Sequence, residues 1–269
     1  MFAMEPDRAG CHAPSGCQRG LPVDKVIELS PAPGSLGPGA ENSSAARGSV
    51  LWMKMALAQR LLNSAAQRFW SRRDLPQLFP AFLRELYSLV SCSVPLMSAA
   101  WDRAAELAPT DALAAASAAY LKQHIEEERH HDEWLLNDLV AAGLDRASLL
   151  RRAPSANVAR LVGAQYCWIR HAHPAALFGY LGVIEGNPPL AAHLEEIRAQ
   201  TGYPAEAFRC MHLHAADDIA HLEELRTTIA GLPLTDADES LITASAFATM
   251  EGLICILEDL VTRKALVRE

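Results

Sequence analysis

The chain has 269 residues, a formal net charge of -8 and a sequence pI near 5.7; an acidic balance of this kind lacks the basic face that phosphate binding needs and argues against nucleic acid as the main partner. Hydrophobic residues make up 50% of it, alanine and leucine dominate and β-branched residues are sparse, which predicts an all-α fold. No uninterrupted apolar run approaches the ~18 residues of a membrane span, and Glu5, Pro6 and Asp7 stand where the apolar core of a secretion signal would begin.

Residues 1–50 contain 6 Pro and 7 Gly among few large apolar side chains. Such a segment buries too little surface to offset its ordering entropy, so it is expected to be a disordered segment preceding a single helical domain over 51–269. Cys11, His12 and Cys17 match no common zinc spacing. The other cysteines, Cys92, Cys167, Cys210 and Cys255, are scattered singly with no CxxC pair, the usage of a cytosolic protein with reduced thiols.

From Trp52 to about Arg72 the apolar residues Met55, Ala58, Leu62, Ala65 and Phe69 recur at helical spacing, and Pro76 is read as the break that follows. A second helix is predicted over Phe79–Ala104, with Pro80 in its first turn and a kink at Pro95. Glu85 in it is a candidate ligand, with a surface or ion-paired glutamate the favoured reading. Pro109-Thr110-Asp111 opens a long third helix, with Thr110 as its cap and Gly143 as its stop.

That third helix carries His124, Glu127, Glu128 and His131, which share a face about 100° wide on a helical wheel. Their flanks, Tyr120, Leu121, Trp134 and Leu135, are apolar, so this face points to the core, where an uncompensated charge is costly. Further helices are predicted from Ser155, from Pro174 and over 190–200. The segment restarted at Pro174 ends in Glu185, a carboxylate at the close of an apolar turn; His173 before the proline is read as a hydrogen-bonded structural residue.

After the Gly202-Tyr203-Pro204 turn comes a helix in which His214, Asp218 and His221 stand at offsets of zero, four and seven. At roughly 100° per residue these side chains fall within about 60° of one another. A solvated polar face is the ordinary explanation for any one of them, but imidazole and carboxylate together are a ligand set for iron, manganese or zinc. The last helix, Asp236–Val267, reads as a packing element, with Glu251 and Glu258 at its surface. The expected ligand set is therefore Glu128, His131, Glu185, His214, Asp218 and His221, with His124, Glu127 and Glu128 competing for the sixth place. About six N/O donors from three helices suit two metal ions rather than one zinc.

The runs HIEEERHHDEWLLNDL, HPAALFGYLGVIEGNPP and HAADDIAHLEEL resemble the haem-oxygenase-like diiron oxidase superfamily of iron-containing redox enzymes, over about residues 55–265. The resemblance implies a haem-oxygenase-like bundle of about seven helices. It also implies a pair of Fe(2+) ions, with Mn as the other candidate metal, and O2 as co-substrate. Metal ligands carry over to His214, Asp218, His221, Glu185 and His131. Many members have a glutamate where this chain has His124, whereas Glu128 and His131 reproduce the Glu-x-x-His pair of others. The implied function is oxidation or oxygenation of a small molecule such as an amino acid, an amine or a fatty acid, with an external electron donor and no membrane, and with a homodimer as the candidate assembly. The contrasting expectation is a metal-independent protein of the same fold, a cofactor-free enzyme or a binding module, in which these ligands would not converge. Iron storage is disfavoured because the chain has one Glu-x-x-His pair rather than two. The aromatic residues Tyr120, Trp134, Tyr166, Trp168, Phe178 and Tyr180 are expected chiefly in the core.

Overall fold

The computed structural model describes residues 38–186 and 190–262, excepting the side chains of 38–46 and 216–219. Two long helices, α1 (Pro38–Trp70) and α2 (Leu75–Leu107), are followed by α3 (Ala112–Glu127), α4 (His131–Ala141), the short α5 (Arg146–Leu150) and α6 (Ala156–His171). A 3-10 turn at Pro174–Ala176 leads into α7 (Leu177–Ile184), then α8 (Ala191–Thr201), a second 3-10 turn at Ala205–Phe208, α9 (Arg209–Gly231) and α10 (Asp236–Thr262). Among the described residues there is no strand. The architecture is all-α, as the sequence predicts.

Helix α1 starts earlier than composition suggests, so residues 38–50, expected within a disordered segment, are helical; residues 1–37 lie outside the described residues. From Arg47 onward the helix is held by tertiary contacts. Leu51 is fully buried, an added Cβ at Gly48 would sit 3.0 Å from the Ala230 backbone, Arg47 pairs with Asp236, and Lys54 reaches Glu239 at 2.6 Å. Pro76 is not a break: it occupies the first turn of α2, where a missing N–H costs nothing. Asp111 rather than Thr110 caps α3, accepting from the Ala114 amide at 2.9 Å. The same carboxylate accepts from His173 Nε2 at 3.1 Å, while His173 Nδ1 accepts from Ala175 N, so His173 is the structural residue the sequence suggests.

The expected long third helix is two helices. Glu128, Arg129 and His130 interrupt it, and His130 takes φ 75°, a left-handed conformation unusual for a side chain with a Cβ. This break turns α4 toward α9 and the Ala205–Phe208 turn. Gly143, φ 92°, follows α4 as predicted.

One apolar core joins the helices. Phe69 and Phe82 meet with ring centroids 5.4 Å apart, and Phe79 stacks on Phe208 at 4.8 Å. Helix α10 is the central packing element, and by length and composition alone it also matches a membrane span. Its Ile242, Ala246 and Met250 are buried in the bundle. It binds α6 through a buried polar chain in which Ser245 donates to Gln165 and Gln165 to Thr249, and it approaches α7 at Gly179, where a Cβ would lie 2.2 Å from the Ile242 carbonyl. Cys92, Cys167, Cys210 and Cys255 are reduced thiols; Cys11 and Cys17 lie outside the described residues.

Candidate metal centre

Three segments deliver the polar groups to one place inside the bundle. The end of α3 and the start of α4 carry His124, Glu127, Glu128 and His131; the residue closing α7 is Glu185; the first half of α9 carries His214 and His221. His124, His131 and Glu185 are buried, at 2%, 5% and 5% exposure, which a charged group tolerates only with compensation.

The donors form two groups. His124, Glu185 and His221 make one; Glu128, His131 and His214 make the other; within each, the ligand atoms lie within 4.8 Å of one another. Each group is two imidazoles and one carboxylate, the donor set that suits non-haem ferrous iron while leaving positions open. Glu128 lies between them, with Oε2 2.9 Å from His131 Nδ1 and Oε1 3.8 Å from His221 Nδ1. The residues that competed for one place in the sequence therefore occupy different places: His124 in one group and Glu128 in the other. Glu127 stands at the edge, its Oε2 3.4 Å from His124 Nδ1 and 3.9 Å from His221 Nε2. Asp218 falls on α9, but its side chain lies outside the described residues.

Several donors are left in the state a cation would resolve. Glu185 Oε2 and His221 Nδ1 are buried without a hydrogen-bond partner, and His131 Nδ1 approaches Glu128 off the line a hydrogen bond requires. Buried polar atoms are seldom orphaned, so three in one cluster fit the residues to a metal. His214 Nδ1 lies 2.8 Å from the Cys210 carbonyl, which can only accept; Nδ1 therefore carries the proton and Nε2 keeps its lone pair for coordination. Burial pulls the His124 imidazole down, but the hydrogen bond and charge of Glu185 at 2.8 Å, with Glu128 and Glu127 beyond, outweigh it and raise the pKa to about 9. Burial pushes the Glu128 carboxyl up, but the surrounding imidazoles of His131, His124 and His214 hold it below its ordinary value. A cluster that holds a proton on imidazole between carboxylates is one in which a metal ion displaces that proton on binding.

Positioning residues surround the cluster. Tyr120 stacks on His124 with centroids 5.2 Å apart and buries its hydroxyl without a partner; Trp134 lies over His131 at 4.5 Å. Asp138, buried and seven residues beyond His131 on the same face of α4, accepts from the Cys210 amide at 2.8 Å. That bond ties α4 to the start of α9 and holds His131 against His214, with ring centroids 4.8 Å apart. The sequence offered its position on the ligand face as a signal, but its partner is a backbone amide that no pattern reveals.

A cavity of about 330 Å³ opens on the cluster, its wall including His124, Glu128, Glu185 and His214. Most of its remaining wall is apolar. Of the aromatic residues singled out in the sequence, Tyr180 lines it and bonds Ser93 at 3.3 Å; Phe178 packs in the core, and the cavity's other aromatic walls are Trp70 and Phe82. Glu85 also lines it. It is buried and accepts from Ser155 at 2.5 Å, a correction to the surface glutamate expected from sequence.

Residues 81–253 match the model of a family described as iron-containing redox enzyme. A search of curated proteins gives no match. Among solved structures, a domain of unknown function with a heme oxygenase-like fold from Shewanella denitrificans superposes with a TM-score of 0.63 at 16% identity, over 82% of this chain and 91% of that one. A TenA homolog from Pseudomonas syringae pv. tomato superposes with a TM-score of 0.62 at 15% identity, over 82% of this chain and 95% of that one. At such identities the likeness concerns the fold alone.

Proposed function

This chain belongs to the iron-containing redox enzyme family, and on that footing we propose that it is a non-haem iron oxidoreductase that uses O2 to oxidise or oxygenate a largely apolar small molecule. The observation that carries the reading is the pair of two-histidine, one-carboxylate groups on either side of Glu128, facing an apolar cavity. In this reading His124, Glu185 and His221 hold one ion, and His131, His214 and Glu128 hold the other. Glu128 turns one oxygen to each group, and Glu127 is a further carboxylate beside the His124 and His221 side. The chemistry supplied by a bound ferrous pair is the reduction of O2 to an oxidant, with reducing equivalents from an external donor.

The chain's own residues account for the rest. The Cys210 carbonyl keeps His214 in the tautomer that presents Nε2, Asp138 sets the spacing of α4 against α9, and the apolar wall excludes water from the reacting end of the substrate. A metal-independent protein of this fold requires no convergence of buried histidines and carboxylates with orphaned atoms, and their convergence favours the metal reading.

Anaerobic titration with Fe(II), followed by metal counting, is expected to give about two ions per chain, and about one in His124→Ala and in His214→Ala, which each disrupt one group. Loading from mixed Fe(II) and Mn(II) identifies the preferred metal. A protein that takes up no iron, or whose ferrous form leaves O2 unconsumed across amine, amino-acid and fatty-acid candidates, would overturn the reading.

A further inference from the structure

The cavity wall carries one acid that the metal reading does not use. Glu85 shares this wall with Phe82, Leu86, Leu89 and, from α10, Ile256 and Leu257. Its exposure is 8%, and its hydrogen bond is to Ser155 at the start of α6, an element that contributes no candidate ligand. The carboxylate is aimed rather than loose. Ser155 Oγ accepts from the Val158 amide at 3.3 Å as the cap of α6 and donates to Glu85 Oε2 at 2.5 Å, and the positive end of the helix dipole adds to the attraction.

We propose that Glu85 is a specificity-determining residue that receives the cationic head group of an otherwise apolar substrate, whose other end reaches the candidate metal ligands. The proposal rests on the functional reading above and narrows its substrate class. A carboxylate on a water-poor apolar wall is costly unless a cation meets it, and one hydroxyl donor compensates it only in part. Apart from Ser155, the residues that flank it on the α2 side of this wall, Phe82, Leu86 and Leu89, are apolar. The same charge repels a carboxylate head group, so fatty acids are disfavoured and amines favoured at this end of the cavity. With His124, Glu128, Glu185 and His214 on another part of the same wall, the site would bind its substrate by the head and present a carbon remote from the nitrogen to the metals.

The test compares octylamine, 1-octanol and octanoate, equal in chain length and different in head charge, by calorimetric titration of the ferrous-loaded full-length protein under argon. Wild type is expected to bind octylamine about tenfold or more tightly than 1-octanol, with octanoate weaker than both. Glu85→Gln, which keeps an acceptor for Ser155, is expected to abolish the preference for the amine while retaining its iron. Octanoate binding as tightly as octylamine in wild type, no measurable octylamine binding, or an amine preference that survives in Glu85→Gln each overturns the assignment. The wild-type series decides the matter even if the variant does not fold. Amine preference in a protein that takes up no iron would leave Glu85 assigned and sink the metal reading; iron uptake without amine preference would do the reverse.

Discussion

Single buried charges carry most of the information at this site. Asp138 illustrates how a carboxylate that binds nothing still organises ligands: burial raises its pKa to about 6, although the Cys210 amide and the Arg209 charge act in the opposite direction. The folded protein thus holds this proton more tightly than the unfolded chain. The resulting contribution to stability is fully present below the ordinary carboxyl value near 3.8 and is lost as pH rises through about 6. Asp138→Asn keeps an acceptor for Cys210 and removes the titration. In denaturant unfolding of the metal-free proteins, the stability of wild type relative to Asp138→Asn should fall between pH 4 and pH 7; a difference that stays level across this range contradicts the assignment. His124 and Glu128 show the complementary case, in which imidazoles and carboxylates hold one another charged where a metal would otherwise do so.

Among the elements, the interruption between α3 and α4 has the clearest functional consequence. Glu127-Glu128-Arg129-His130 contains neither glycine nor proline, so local propensity favours an uninterrupted helix, and a single long helix is the natural reading of the sequence. The left-handed turn at His130 is imposed from outside, by the packing of α4 on α9 and the Ala205–Phe208 turn. Such a conformation costs a residue with a Cβ about 1 kcal/mol and a β-branched residue more. His130→Gly is expected to leave stability unchanged or raise it by up to about 1 kcal/mol, and His130→Val to lower it by about 1–2 kcal/mol. Thermal unfolding measures both; a valine variant as stable as wild type would show that the turn carries no strain. The exposed side chain of His130 makes the comparison clean, since its relative exposure is that of a surface residue.

At the scale of the molecule, the candidate ligands converge because α3, α4, α7 and α9 are held together while α10 packs against α7 and α6. Gly179 is where that packing is closest: an added Cβ would meet the Ile242 carbonyl at 2.2 Å and the Ala246 amide at 2.6 Å, both backbone atoms that cannot rotate away. Gly179→Ala is expected to cost about 3 kcal/mol or more, read from denaturant unfolding, and to weaken iron binding by displacing Glu185 at the end of the same helix. Equal stability in the two proteins would mean that α7 can shift without consequence. Gly163, with nothing near its added Cβ, is the control at which alanine is tolerated.

Most of the helices and many of their ends were legible in the sequence because they follow from local geometry, and a period of 3.6 residues places His214 and His221 on one face of α9; His124 and His131 were found as core-facing residues, but the single helix assumed to carry both is broken between them. The start at Ser155 and the stop at Gly143 have the same local origin, and the start of the third helix is legible although Asp111 rather than Thr110 caps it. What only the tertiary structure decided is everything that depends on which face meets which. It separates His124 from Glu128 into two donor groups, breaks the third helix at His130, and packs α1 on α9 and α10 from Arg47 onward. It also buries Glu85 beside Ser155, seventy residues away in the chain. These are contacts between groups distant in sequence, made strong or costly by burial, and a linear pattern carries no record of the partner that burial will supply.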